Sequence, residues 1–394
     1  MSENTFAPIA RQQESRTLTP LDSNAHVVVI GAGAFGGWTA LNLLKQKFKV
    51  TLVDSWGAGN SRSSSGDETR VIRSTYGANE FYFNLNIRAL QLWKDYEERW
   101  QRKLFENKGV LWLCHQRKTP VVDDSIPFAQ QHGMMYEELT RNELAKRYPI
   151  VNAEDLSHAW FDPYGGLLYA REAMQTVQQA FVQEGGTFIQ AQLTPGSINH
   201  ARMQSCQLSN GQSLIADVFI FACGSWLGKM FPEILGSMIT CTRQEVYYFG
   251  MPELNAAQYE SFPVWIDADG HDWYYGIPGN HHRGFKVGVD KRGEAFDPTH
   301  GNRVLNTDVL HGARTFIAHR FPGLTNQPLV ENRVCPYENS PDGNFLFDQH
   351  PEADNVIFLG GGSGHGFKHG PALGEWVTRC LTGLDQIPGD FLMR

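Results

Sequence analysis

Apolar and polar positions along this chain change rhythm several times, and each rhythm predicts an element. From His26 to Ser55, HVVVIGAGAFGGWTALNLLKQKFKVTLVDS, an apolar β-branched run meets a glycine turn, then an amphipathic stretch, then a second apolar run ending at Asp54. This predicts a strand–helix–strand unit of about 30 residues. Residues 60–70, NSRSSSGDETR, are too small and polar for core and read as a loop. Over 80–100 a stripe through Leu85, Ile87, Leu90 and Trp93 predicts a helix whose aromatic residues belong to the core. Short runs such as GVLWLC follow, then RNELAKRYP, a helix stopped by Pro149. Residues 171–186 predict a helix capped by Gly185–Gly186, and 213–226 a buried strand running into Gly224. Between 240 and 300 strand formers recur with short turns, EVYYFG, DWYYGIPG and GFKVGVD, which predicts an antiparallel sheet. The chain closes as strand, glycine loop and helix, NVIFLGGGSGHGFKHGPALGEWVTRCLTG. The ends therefore carry α/β nucleotide-type elements and the middle a different, α+β portion.

Length adds that 394 residues suit two domains. The net charge of −8 argues against a nucleic-acid surface, and no apolar run reaches the length of a membrane span. The first 25 residues are polar, lack the apolar heart of a secretory signal, and read as an arm. The six cysteines show no C-x-x-C and no metal-like pairing, which points to a reducing compartment and the cytoplasm.

Gly31, Gly33 and Gly36 form G-x-G-x-x-G between a predicted strand and helix. The first permits the turn, the second lets backbone approach a pyrophosphate, and the third lets the helix pack closely. The helix N-terminus then meets the negative charge, and Asp54 can accept from ribose hydroxyls. This reads as an adenine-dinucleotide site and leaves FAD and NAD both open. Arg70 and Arg73 follow in SSSGDETRVIRSTYG, either as solvated surface charges or as carboxylate-binding groups. Gly-rich LGGGSGHGFKHGP, with Gly364 and Gly366 before Lys368, offers a second place for backbone to approach a ligand. His365 and His369 have no third ligand in sight, so no metal is expected.

The chain resembles the monomeric sarcosine oxidase family, within the glycine-oxidase and D-amino-acid-oxidase class of flavoproteins. The resemblance spans about Val27 to Gly383 and rests on the nucleotide unit, GDETRVIRSTYG, GGLLYA, GSW, YYGIPG, GFKVGVD, RVCPYENSPDGNFLFDQHP and GSGHGFK. It implies a Rossmann-like, three-layer FAD-binding domain from residues 26–105, 150–235 and 325–394. A mixed or antiparallel substrate domain would take 106–149 and 236–324. It further implies FAD held covalently through Cys335, with Gly31, Gly33, Gly36, Asp54, Gly364 and Gly366 around the cofactor. Lys286 matches the lysine that promotes reaction of reduced flavin with oxygen. Arg70 matches the arginine at the flavin ring, and Arg73 with Lys368 the pair that holds the substrate carboxylate. The implied reaction is oxidation of the C–N bond of a carboxylate-bearing amine, with hydrogen peroxide as product, by a monomer. Where sarcosine-oxidising members carry a histidine, this chain has Asp290, which turns the expectation toward a larger or cyclic secondary amino acid. The alternative for Asp290 is a surface pair with Lys291 or Arg292. Tyr248, Trp265, Trp273 and Tyr275 are candidate pocket walls of unknown direction. A primary amino-acid oxidase or dehydrogenase, a nicotinamide-dependent dehydrogenase and a flavin-binding protein without turnover are the competing readings.

Overall fold

A computed structural model describes residues 14–269 and 273–393; positions 1–13 of the expected arm lie outside the described residues. The rest of the arm is tied to the far end of the chain. Arg16 bridges Ile387 through its backbone, and its guanidinium pairs with Asp348.

The strand–helix–strand unit forms as its pattern predicts, with strands His26–Ile30 and Lys49–Asp54 around helix Ala34–Lys45. These strands sit inside a six-stranded sheet ordered Leu346–Gln349, Val356–Gly360, Val218–Phe221, His26–Ile30, Lys49–Asp54, Thr187–Gln190. All neighbours are parallel except the Leu346–Gln349 edge. A parallel sheet is covered on both faces, which explains why HVVVI is apolar throughout rather than alternating. Val27 and Val29 enter the core beneath the helices, while Val28 and Ile30 enter the core on the opposite face.

Helix Ala34–Lys45 packs on the last helix, Gly370–Leu381. Gly374 permits the approach, because a Cβ there would lie 2.6 Å from the Trp38 backbone. Helix Glu80–Trp100 completes this layer, with Trp93 edge-on to Trp38 at 5.3 Å. Its stripe is core, as read, and the Asn79 side chain caps it by accepting from the Tyr82 N–H. Helix Ala170–Gln183 ends as expected: Gly185 adopts φ +101°, and the Gly186 N–H donates to the Phe181 carbonyl.

The middle strands assemble into an eight-stranded sheet ordered Leu329–Asn339, Thr240–Phe249, Phe285–Asp290, Trp273–Ile277, Val264–Ala268, Val110–Cys114, His158–Asp162, Glu137–Thr140. It is mixed, because Val110–Cys114 inserts parallel to Val264–Ala268. We propose that the two sheets mark the two parts of the molecule. His158–Asp162 and Leu329–Asn339, grouped with the cofactor part in the sequence reading, hydrogen-bond within the eight-stranded sheet. One face of that sheet packs Tyr247, Phe249, Trp265, Phe285 and Val287 with Ala313 and Ile317 of helix Thr307–Arg320. No helix among the described residues is long and apolar enough to cross a membrane.

Trp38 is fully buried between helices from both ends of the chain. Trp38→Ala is expected to lower unfolding free energy by about 3–5 kcal/mol, read as a reduced denaturation midpoint at unchanged slope.

Candidate active site

The glycine turn is built by close contacts. Gly31 has φ +109°, and a Cβ there would sit 2.2 Å from the Ala222 carbonyl oxygen. A Cβ on Gly36 would meet the Gly31 oxygen at 2.0 Å, so this glycine serves helix–strand packing. At Gly33 a Cβ would meet only Ser65 Oγ, at 3.5 Å, and that residue faces a cleft. Gly33 gives helix Ala34–Lys45 no side-chain cap and its first turn has no acidic residue; Ser65 Oγ accepts from the Ala34 N–H at 3.2 Å, and no negative charge from the helix itself offsets its positive end. Asp54 first holds the turn together: its carboxylate accepts from the N–H groups of Ala32, Trp56 and Gly57, each at 2.8 Å. A carboxylate has about four acceptor positions, so about one remains for a ribose hydroxyl. Burial raises the Asp54 pKa, opposed by those three donors.

The cleft runs from Gly31, Gly33 and Asp54 past Ser63–Ser65 and Arg70 to Tyr337, Glu338, Gly364 and Gly366. Gly364, at φ +81°, makes room for the Tyr337 ring, which a Cβ would meet at 2.5 Å. The glycine-lined trough, the helix end without an acidic first turn and a buried carboxyl oxygen of Glu338 without a partner among the described residues all suit a dinucleotide cofactor.

Beyond Arg70 lies the second face of the eight-stranded sheet. Directly paired antiparallel residues share a face, as do residues two apart. The pairs Tyr248–Lys286, Gln244–Cys335, Tyr275–Gly288 and Trp273–Asp290 therefore set all these side chains on one side. Trp265 is on the other, in the core beneath helix Thr307–Arg320, so of the four candidate wall aromatics it alone is turned away. Tyr275 lies over Gly288, where a Cβ would fall 2.6 Å from its ring.

Asp67 joins this face to the loop after the dinucleotide unit, and the sequence reading gave it no role. Its carboxylate is fully buried and accepts from Lys286 Nζ at 2.5 Å, Arg70 Nη1 at 2.6 Å and Tyr248 Oη at 2.7 Å. Burial would raise its pKa, but Lys286 and Arg70 together hold it well below the ordinary carboxylate range. Lys286 also donates to the Thr69 carbonyl at 2.8 Å, and burial pulls its pKa down. Cys335 is buried beside Val246 and Tyr248. Burial raises its thiol pKa, and Arg70, Lys286 and Arg333 act against that rise.

Arg73 and Lys368 meet at Tyr76. The Arg73 guanidinium lies 5.0 Å from the Tyr76 ring centre and 5.2 Å from that of Trp112; Lys368 Nζ lies 5.1 Å from the same Tyr76 ring. Arg73 donates to the Thr75 backbone oxygen and Lys368 Nζ to the His365 oxygen. Trp93 fixes Lys368 by donating to its backbone oxygen at 2.8 Å, and Tyr76 Oη is 2.7 Å from His369 Nε2. Among the described residues neither cation has an ion pair. Burial and then Arg73 push the Lys368 pKa well down. Asp290 ends strand Phe285–Asp290 as an exposed residue, and desolvation by the protein around it raises its pKa against Arg73 and Lys368. Its neighbour Arg292 donates instead to the Ser340 oxygen.

The sequence profile of the family DAO: FAD dependent oxidoreductase matches residues 26–380. The chain is 28% identical over 376 residues to the monomeric sarcosine oxidase of Bacillus sp. (strain B-0618), covering 92% of this chain and 94% of the relative. In fold it is similar to the crystal structure of amadoriase I from Aspergillus fumigatus, with TM-score 0.79, 17% identity, and coverage of 96% of this chain and 91% of that one. It is likewise similar to L-proline dehydrogenase from P. horikoshii, with TM-score 0.77, 20% identity, and coverage of 91% and 93%. Of the two dinucleotides left open by the glycine pattern, these matches select FAD.

Removing the Asp67 charge leaves Lys286 buried without its carboxylate, a class of change that costs about 3–5 kcal/mol. Asp67→Asn is expected to lose stability on that scale in chemical denaturation, and Asp67→Asn/Lys286→Met to recover part of it in a double-mutant cycle. Because its folded pKa is depressed, the stability Asp67 contributes is present above the unfolded carboxylate pKa and disappears as pH falls below it. The Asn variant should be less sensitive to acid over that range.

Proposed function

The chain belongs to the DAO family of FAD-dependent oxidoreductases, and on that premise we propose that it oxidises the C–N bond of a carboxylate-bearing amine. A secondary amino acid, N-methylated or cyclic, is the preferred substrate. One observation carries this reading: Arg73 and Lys368 converge on the Tyr76 ring without an ion pair among the described residues, within electrostatic reach of Asp290.

A buried lysine and a half-buried arginine around one ring repel each other and gain from an anion placed between them. A carboxylate can accept two parallel bonds from the Arg73 fork and meet Lys368 as a point charge. Asp290 then receives the amine end, so that a zwitterion fits the site in one orientation. Ionised, it favours a cationic amine; protonated, it is a neutral hydrogen-bonding group, and its raised pKa makes this balance depend on pH. The carboxylate clamp fixes the carbon beside the nitrogen in place, which replaces a bimolecular encounter by a positioned one. When bound, FAD supplies the two-electron acceptor. Tyr275 and Trp273 wall the site on the same sheet face. Lys286, held by Asp67 and the Thr69 oxygen, places a fixed positive charge on that face. We assign it to the oxygen-dependent step that yields hydrogen peroxide. The names of the relatives agree with this substrate class, since sarcosine and proline are both secondary amines with a carboxylate.

Cys335 shares the face of Lys286 and Tyr248, and we infer that it carries the flavin covalently. Burial and Asp67 raise its thiol pKa, and Arg70, Lys286 and Arg333 oppose that rise only in part, so the support for this reading is the position of Cys335 on the sheet face.

Arg73→Ala and Lys368→Ala should each raise KM for a carboxylate-bearing amine by about 10- to 100-fold. That is the range for losing about 1.5–3 kcal/mol of charged hydrogen bonding. Unchanged KM in both variants would sink the clamp. Acid precipitation of the purified protein should leave the yellow colour in the pellet, and Cys335→Ala should release it to the supernatant. Release from the unsubstituted protein would show a non-covalent flavin.

A further inference from the structure

Glu338 lines the cofactor cleft and has no task in the scheme above. It lies near the end of strand Leu329–Asn339, one residue beyond Tyr337, and pairs with Cys241. Its carboxyl lies over the glycine turn that follows strand Val356–Gly360. A Cβ on Gly360 would meet Glu338 Oε1 at 2.3 Å, so Gly360 is small because this carboxyl occupies its side-chain space. On the other side, Oε2 and Phe35 flank Gly362, each 3.8 Å from where its Cβ would be. Oε1 is buried with no hydrogen-bond partner, and Oε2 has only the distant Gly362 N–H at 3.5 Å.

The groups around it supply no counter-charge. Cys223 and Cys241 are thiols kept protonated by burial, and Ser225 Oγ donates to the Pro336 oxygen. Arg70, the cation of this cleft, is engaged by Asp67, the Thr69 oxygen and the Ser64 oxygen. Among the described residues Glu338 has no ion pair. Burial pushes its pKa up to about 7, opposed only by the Gly361 and Gly362 N–H groups. A buried carboxyl in such surroundings holds its proton to higher pH than usual, and while protonated it is a donor that needs an acceptor.

Resting on the reading that this cleft holds FAD, we propose that Glu338 is a cofactor-contacting residue whose protonated carboxyl donates a hydrogen bond to an acceptor atom of the bound FAD. Loss of the proton replaces that donor by an anion against the cofactor and perturbs the flavin.

The test is a pH titration of the visible spectrum of the oxidised, FAD-loaded protein from about pH 5.5 to about pH 10, without substrate. A hydrogen bond given to FAD favours the protonated form further, so the expected result is a one-proton spectral transition at or above about pH 7, lost in Glu338→Gln and retained at a displaced midpoint in Glu338→Asp. A transition unchanged in Glu338→Gln, or none in the unsubstituted protein, overturns the proposal. Should Glu338→Gln fail to fold with FAD, the displaced or undisplaced midpoint of Glu338→Asp decides. No turnover enters the measurement, so failure to find an amine substrate leaves this result standing, and its failure leaves the amine reading standing.

Discussion

Asp67 is a carboxylate without access to water that holds Lys286 on one side and Arg70 on the other. It belongs to the loop leaving the dinucleotide unit, whereas Lys286 belongs to the middle of the eight-stranded sheet. The loop after the dinucleotide unit is therefore joined to the eight-stranded sheet by an ion pair and by Tyr248 Oη. Desolvation of these charges offsets much of their mutual attraction, so the pair contributes mainly position. An apolar contact would tolerate sliding; three donors converging on one carboxylate do not. The Thr69 oxygen, the Arg70 guanidinium and the Tyr248 hydroxyl all take their places relative to this group.

The cations of this region divide by what neutralises them. Arg70 and Lys286 have Asp67; Arg73 and Lys368 share a tyrosine ring and have no carboxylate within ion-pair distance among the described residues. A compensated cation is a fixed dipole of the framework, whereas an uncompensated one is a demand for a ligand. By residue type and spacing Arg70 and Arg73 look alike, three residues apart, and in the structure their partners set them apart.

Much of the fold was legible because its signals are local. The glycine spacing, the apolar β-branched strand and the stripe at 80–100 are each set by neighbours within a few residues, and each element formed where its pattern stood. The parallel entry of Val110–Cys114 into the middle sheet left no such trace, since pairing direction depends on a strand some 150 residues away. The same holds for side-chain direction. Trp265, Trp273 and Tyr275 all read as wall candidates, yet Trp265 packs beneath a helix because its parity on the strand, invisible without the pairing, turns it there. Asp67 and Glu338 were missed for a related reason. An acidic residue in a polar loop or on a strand looks solvated until the fold buries it.

The cleft draws its lining from the first strand and helix, from the loop at 63–70, from 222–226, from 337–338 and from the glycine turn after 360. The first strand meets Val218–Phe221, which in turn meets Val356–Gly360. During synthesis the glycine turn at 31–36 therefore exists long before the groups that complete it, and it can hold no cofactor until nearly the whole chain has emerged. Such distant pairings make for slow folding. FAD, binding only the completed form, then draws the chain toward it by mass action, so cofactor supply becomes a determinant of how much of this protein survives its own assembly.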